Sequence, residues 1–306
     1  MMSGTVLWIL EVMGGFRMRE YENENTLHNA IALAVSGDRN SLVVVMEGDD
    51  DSFLLKRWVG DSIRVMSGSG GKGQVIRVAQ QFERRGQDRV KFVVDRDYDD
   101  FASCAVEYPS NVLSSCHHDC FVDVLAAHER LLPTVVDYHL DAARRSRGSK
   151  GELVTSLSVE AIVTRCFDLA SMLAACRIVD YHHSLGLNFK CFKYVGHSID
   201  DLNTSYIMQR LIESNPSLEL EPASFCAEAE AVLCDVRMRS FPPVGDHDLF
   251  AALNFVVSKY SSAPSEKTLR VAVVSSLSVA ILRRISWCKA LEAWSLSYEV
   301  AFFVEA

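Results

Sequence analysis

Three short runs of β-branched and apolar residues, spaced by segments of helical period, constrain this chain most. They occupy residues 41–46 (ending Leu42-Val43-Val44-Val45-Met46), 62–66 (Ser62-Ile63-Arg64-Val65-Met66) and 90–94 (Val90-Lys91-Phe92-Val93-Val94). Runs this short and this apolar predict strands buried on both faces. Between them, residues 50–59 place Phe53, Leu54, Leu55, Trp58 and Val59 at helical spacing. Residues 74–86 do the same with Val75, Val78, Ala79 and Phe82, and Gly86 is a stop signal. A further helix is predicted over residues 24–36 through Leu27, Ile31, Leu33 and Val35. The order β-α-β-α-β predicts an α/β fold, a mostly parallel sheet with flanking helices.

Asn111-Val112-Leu113 reads as a fourth strand, followed by a helix through Phe121, Val124, Leu125 and Leu132. Beyond it the pattern turns mainly helical, over residues 151–177, 200–213, 224–239, 246–260 and 270–296, with one more strand expected from Phe189 to Val195. The expected organisation is an N-terminal segment and helix over 1–39, an α/β domain over 40–140, and a mainly helical region over 141–306.

Two of the strands end in acid. Glu47-Gly48-Asp49-Asp50-Asp51 follows the first run, and Asp95-Arg96-Asp97 follows the third. Ligands in open α/β sheets collect at the carboxyl ends of strands. A magnesium-like ion takes oxygen ligands, and one or two carboxylates hold it while it keeps several waters. If strands 41–46 and 90–94 lie side by side, Glu47 and the Asp95/Asp97 pair can share one such ion, which points to phosphate chemistry. The plainer alternative is a solvated turn with Asp49 or Asp50 capping a helix, and a second exposed loop continuing into Asp97-Tyr98-Asp99-Asp100.

Ser67-Gly68-Ser69-Gly70-Gly71-Lys72-Gly73 is a glycine-rich loop. Gly68, Gly70 and Gly73 satisfy the spacing of a dinucleotide fingerprint, and Asp95 stands where a ribose-binding acid falls, so a dinucleotide-binding oxidoreductase is an alternative. Against it, the motif follows the second strand read here, and Glu47 and Asp97 would have no task. The Walker pattern fails, because Lys72 precedes Gly73 rather than Ser or Thr. Cys116-His117-His118-Asp119-Cys120 holds zinc-type ligands but no second pair at a persuasive distance. His182, His183 and His197 read as surface or satisfied core histidines. Arg144, Arg145, Arg147 and Lys150 form a basic loop that can grip a nucleic-acid backbone or merely face solvent.

Composition narrows the class. Of 306 residues, 49% are hydrophobic, enough for a substantial core. The formal charge of −9 rules out a strongly basic scaffold but not a nuclease, whose acids hold the metal while local basic patches hold the backbone. Nine irregularly spaced cysteines read as reduced cytoplasmic thiols. Val6-Leu7-Trp8-Ile9-Leu10 is too short and lacks the basic flank of a signal or a membrane span, and Met18 is an alternative start.

The succession of apolar strand, Glu47-Gly48-x-x-Asp51, a helix with Phe53-Leu54, a strand, Gly70-Gly71-Lys72, a helix, an apolar strand and Asp95-x-Asp97 resembles a TOPRIM domain, over roughly residues 40–130. The whole chain is similar to a TOPRIM-like family that includes AriB, effector of the PARIS anti-phage system. That likeness is carried by Met18-Arg19-Glu20-Tyr21, Gly68 to Gly73, His118-Asp119 and Gly245-Asp246-His247-Asp248-Leu249. The resemblance implies a Rossmann-like sheet and a Mg2+- or Mn2+-dependent nuclease. Glu47 matches the family's acid/base or ligand glutamate, Asp95 and Asp97 its metal pair, and Asp51 the acid four residues on. Asp119 and Asp123 fall near a further acidic position, and Lys72 lies in a loop that can touch substrate phosphate. It further implies a cytoplasmic defence effector with an ABC-type ATPase partner, acting on RNA, tRNA included, or DNA, with a homo-oligomer open and no membrane. Asp49 and Asp50 make the first loop more acidic than the family pattern, and no cleavage-and-religation module or primase zinc module is evident. Hydrolysis is therefore favoured over strand passage or primer synthesis. A TOPRIM-like module that only binds or regulates a partner is the other alternative.

Overall fold

The computed structural model describes residues 24–38, 40–102, 104–145, 158–189, 192–194, 203–216, 221–260 and 265–304. Met18 to Tyr21, the apolar run at 6–10, Arg147, Lys150 and His197 lie outside them. The chain forms two compact units that interleave along the sequence. The first comprises residues up to Val94, Tyr108–Leu113 and the stretch from Leu291; the second comprises Asp95–Glu107 and Ser114–Ala290.

The first unit is built on strands β1 (Leu42–Met46), β2 (Ile63–Ser67), β3 (Val90–Val94) and β4 (Val112–Ser114), in the order β2-β1-β3-β4. β1 pairs in parallel with β2 and with β3. Every residue of β1 is buried, as a central strand covered on both faces requires. Side chains alternate across the sheet, so Val43 and Val45 share one face with Val90, Phe92 and Val94 of the neighbouring strand. These pack against Leu27 and Ile31 of helix α1 (Glu24–Gly37) and against Val75, Val78, Ala79 and Phe82 of helix α3 (Gly71–Arg84). Leu42, Val44 and Met46 point the other way and are equally buried, as are Leu54 and Leu55 of helix α2 (Asp49–Lys56). Each such side chain contributes about 1.5–3 kcal/mol on burial. Farther along the chain, residues 302–304 complete this unit. Gly60 N–H donates to Phe302 O (3.0 Å), Val304 N–H to Trp58 O (2.9 Å), and Val59 bridges Phe303.

The second unit is helical. Helices α4 (Cys120–Ala127) and α5 (Leu131–Arg144) stand where one helix through Leu132 was expected. The chain breaks at His128, which leaves the helical region of backbone space. The core is the long helix α6 (Val159–His183), flanked by α7 (Thr204–Ser214), α8 (Pro222–Met238) and α9 (Asp246–Ser258). Leu169 to Cys176 are buried without a break, so the middle of α6 is enclosed all round and its sequence shows little amphipathic stripe. Ser158 caps its start by accepting from Ala161 N–H, and Ser184 ends it in the left-handed region at φ 52°. Helices α10 (Glu266–Ser275) and α11 (Val279–Leu282) follow, and α12 (Ser286–Leu296) holds residues of both units.

Three expectations shift. The third helix begins at Gly71 rather than residue 74, so Lys72 sits in its first turn. The strand expected from Phe189 to Val195 does not form among the described residues there; Phe192 N–H folds back to Phe189 O (3.0 Å) in a turn. Gly48, not Asp49 or Asp50, is the N-cap of α2, and all three aspartates lie in its first turn. Among the described residues no helix is long and apolar enough to cross a membrane.

Candidate functional site

The registers Met46↔Val93 and Met46↔Ser67 align the carboxyl ends of β1, β3 and β2. Glu47 is bonded to the last residue of β1 and Asp95 to the last residue of β3. The two acidic segments therefore leave neighbouring strands at the same end, where strands lie about 4.8 Å apart.

In the first unit, close packing fixes the turn after β1. Gly68 N–H donates to Met46 O (2.9 Å). A Cβ on Gly68 would lie 2.6 Å from Val75 Cγ2 and 3.2 Å from Glu47 O, so only glycine lets β2 pass this close to the Glu47 backbone. Asp51 Oδ2 accepts from Gly48 N–H (3.0 Å), turning this carboxylate back over the Glu47-Gly48 turn. Asp49 accepts from the Ser67 hydroxyl and, with Lys56, Met66 and Gly68, lines a cleft walled by Thr26, Leu27 and Ala30. The glycine loop has its own internal partner. Gln74 Oε1 accepts from Gly70 N–H (2.8 Å) and Ser69 N–H (3.2 Å). Two amides that a pyrophosphate cradle would present are thus already engaged. The Lys72 ammonium stands 5.6 Å from the Tyr108 ring centroid.

In the second unit, three hydrogen bonds strap residues 95–97 to the segment before α4. Asp95 Oδ1 accepts from Cys120 N–H (3.0 Å), Arg96 N–H donates to Ser115 Oγ (2.8 Å), and Asp97 N–H donates to His118 O (2.8 Å). Asp97 adopts φ 52°, a left-handed conformation that Asp tolerates better than most residues.

Asp119 and Asp123, the further acidic candidates, are both buried. Asp119 caps two helices at once: Oδ1 accepts from Val122 N–H in α4 (2.7 Å) and Oδ2 from Asp246 N–H in α9 (2.8 Å). This explains Gly245 before α9. The helix is capped from elsewhere in the chain, and a Cβ on Gly245 would meet His118 Cε1 at 3.2 Å. Asp123 Oδ1 accepts from His117 N–H (2.8 Å) and His117 Nδ1–H (2.7 Å); Oδ2 accepts from Cys116 N–H (2.9 Å) and Trp287 Nε1–H (2.9 Å). Those four bonds match the four lone-pair sites of a carboxylate.

Around this strap lie charges that no local sequence pattern announces. Arg177 of α6 forks onto Asp248 with bonds of 2.7 and 2.9 Å, and its guanidinium lies 4.2 Å from the Phe189 ring centroid. Arg270 of α10 reaches Asp246 at 2.8 Å. Asp246 is pushed up to about 7, by burial first and by the Asp119 charge second, against the pull of Arg270. His118 packs edge-on to Tyr98 at 4.7 Å, and its Nδ1 lies 3.4 Å from Asp119 Oδ2 without a hydrogen bond. Burial, the largest cause, works against the charged form of His118, but the Asp119, Asp97 and Asp248 carboxylates together outweigh it and the net shift is upward. Burial also pushes the Tyr98 phenol well up. A doublet such as Asp246/Asp248 in the first turn of a helix fits the helix dipole, but its arginine partners stand far away in sequence and carry no signal.

No family model, no curated protein and no solved structure matches this chain. The remaining candidates are dispersed. His182 Nε2 pairs with Phe101 O (2.9 Å) and His183 with Glu228 (2.9 Å). Arg144 pairs with Asp137 and Arg145 with Asp141, so the described part of the basic loop meets acids of its own helix.

Proposed function

We propose that this chain is a TOPRIM-type nuclease that hydrolyses nucleic-acid phosphodiesters with the help of Mg2+ or Mn2+. The observation that carries the reading is the parallel pairing of β1 with β3, which sends Glu47 and Asp95 out of adjacent strands at one end of the sheet. Glu47, Asp95 and Asp97 would hold the ion, with Asp51 turned toward the same turn. An all-carboxylate set suits a hard cation and suits softer, thiolate-seeking metals poorly. When bound, the ion supplies charge neutralisation of the phosphate and acidifies a water. Glu47 takes the proton from the attacking water, and its backbone is held against Gly68. Asp95 is oriented by the Cys120 amide, and Asp97 is fixed through its own amide to His118 O. Asp119 and Asp123 support this arrangement by capping helices and closing the turn before α4 rather than from a ligand position. Lys72, in the first turn of α3, is the group on this unit suited to a substrate phosphate. The occupied amides of Ser69 and Gly70 speak against a dinucleotide cofactor.

The resemblance to the TOPRIM-like family extends the proposal to a cytoplasmic anti-phage effector acting on RNA, tRNA included, under the control of an ABC-type ATPase. The test is cleavage of single-stranded RNA, tRNA and DNA with Mg2+, with Mn2+ and with chelator. Glu47→Ala and Asp95→Ala each lower the rate at least about a hundredfold. Cleavage by both variants at the wild-type rate overturns the proposal.

A further inference from the structure

The cleft beside the Glu47 turn has no task in the acidic chemistry. It lies within the first unit, between α1, α2 and the end of the edge strand β2, and encloses about 210 Å3. Sites for drug-sized ligands run to about 300–1,000 Å3, so this one admits a single ring system rather than a whole nucleotide. Leu27 and Ala30 of α1 and the Met66 thioether supply apolar wall, which suits the face of a flat ring. Asp49 and Lys56 are the charged groups in the lining, one of each sign. A cleft so lined favours a neutral ligand over a free phosphate or a polyamine.

The polar side has a definite hydrogen-bonding sense. The Ser67 hydroxyl donates its only hydrogen to Asp49, so toward the cleft Ser67 can only accept. The Asp49 carboxylate also only accepts, and with four lone-pair sites it can serve a ligand as well as partners in the chain. Lys56 lies two turns farther along the same face of α2 and brings three donors on a long stem. Two neighbouring acceptors and a donor complement the Watson–Crick edge of guanine, whose N1–H and N2–H2 donate and whose O6 accepts. Adenine and cytosine each offer one amino donor there beside a ring-nitrogen acceptor, and uracil offers one imino donor. Each of those would set an acceptor against Asp49 or Ser67. Bases of single strands are open to reading on this edge.

The cleft adjoins the acid turn. Gly68 lines it, and Gly68 N–H donates to Met46 O (2.9 Å), next to Glu47. Asp49 follows Glu47 by two residues. A base held here brings its own sugar-phosphate to the Glu47-Gly48 turn.

We propose that this cleft is a guanine pocket for a nucleotide flanking the scissile phosphate, with Asp49 and Ser67 reading N1–H and N2–H2 and Lys56 meeting O6. The purpose of the pocket rests on the nuclease reading, but its binding is measured without cleavage.

The experiment titrates guanosine, inosine, adenosine and cytidine into the full chain in chelator, followed by saturation-transfer NMR, with inorganic phosphate and spermidine as competitors. Guanosine binds about tenfold tighter than inosine, which lacks the N2 amino group, and tighter than adenosine or cytidine by at least as much. Asp49→Asn abolishes the preference for guanosine over inosine. Ala30→Phe fills the cleft and blocks every nucleoside, with the unfolding midpoint showing that the fold is kept. Equal affinities for the four nucleosides overturn the proposal, as does guanosine binding that survives Ala30→Phe in a folded chain. So does displacement of guanosine by phosphate or spermidine at the lower concentration, the sign of an ion site. Guanosine-selective binding without metal-dependent cleavage sinks the nuclease reading and leaves the pocket standing. Glu47-dependent cleavage without guanosine binding does the reverse.

Discussion

Replacing Asp123 by Asn keeps the shape of the side chain and removes its charge and one acceptor oxygen. The side chain is 2% exposed, so water cannot make good the loss. Turned one way, the amide NH2 meets two obligatory donors; turned the other, it meets the His117 N–H, while Nδ1 can accept from it in the other tautomer. One face meets His117 N–H and Nδ1–H, the other Cys116 N–H and Trp287 Nε1–H. The charge-assisted bonds weaken and at least one donor faces a donor, which together cost about 3–5 kcal/mol. In a unit of this size that lowers the melting midpoint by roughly 6–20 °C. The assay is thermal unfolding followed by calorimetric titration of Mn2+ at a temperature where both proteins are folded. Asp123→Asn loses stability as stated and binds Mn2+ close to wild type, far short of the roughly 10–100-fold weakening expected of a group that supports a metal directly. An unchanged midpoint with tenfold weaker Mn2+ binding would refute the assignment and move Asp123 among the ligands.

Gly68→Ala forces a Cβ to within 2.6 Å of Val75 Cγ2 and costs about 1–3 kcal/mol. Gly71→Ala, at φ 68° in open space, costs about 1–2 kcal/mol through the backbone alone. Cleavage falls sharply only in Gly68→Ala, which crowds Glu47; equal activity losses in denaturation-matched assays contradict this account. Asp119→Ala removes the caps of α4 and α9 and lowers stability by about 2–3 kcal/mol in urea unfolding, since each cap contributes about 1 kcal/mol; a change below the error of the fit argues against the double cap. Asp246 is near 3.8 when unfolded and about 7 when folded, so the folded chain binds the proton more tightly and stability declines as pH rises between those values. The raised His118 works in the same direction, its contribution fading as pH rises through its folded value. Asp246→Asn flattens this decline in urea midpoints measured across the same window, and a slope equal to wild type rules the titration out.

The strands were the most legible part of the chain, because β1 is covered on both faces and apolar throughout, and β3 is so except at the half-exposed Lys91. Burial thus marks their ends, and the acids beginning at Glu47 and Asp95 stand out by contrast. The start of α3 was hidden because Gly71 and Gly73 are poor helix formers; Gln74, by taking two loop amides, organises a start that glycine spacing alone suggests is a loop. The clamp of Arg177 on Asp248 and of Arg270 on Asp246 was illegible for another reason. Each pairing joins residues distant in sequence, and an arginine destined for a buried ion pair looks like one destined for solvent. The double capping by Asp119 hides in the same way, since only one of its two helices begins nearby.

Trp58 O and Gly60 N–H find their partners at Val304 N–H and Phe302 O. A ribosome adds roughly 5–20 residues per second, so an interval of many seconds separates completion of the β-strands from arrival of that segment. During synthesis the strands emerge before the segment that supplies these two bonds, and the second unit can fold in the interval. Maturation of the first unit is thereby tied to late translation. A nascent chain stalled before Phe302 would leave Trp58 O and Gly60 N–H without those partners, a loose turn open to chaperones and proteases.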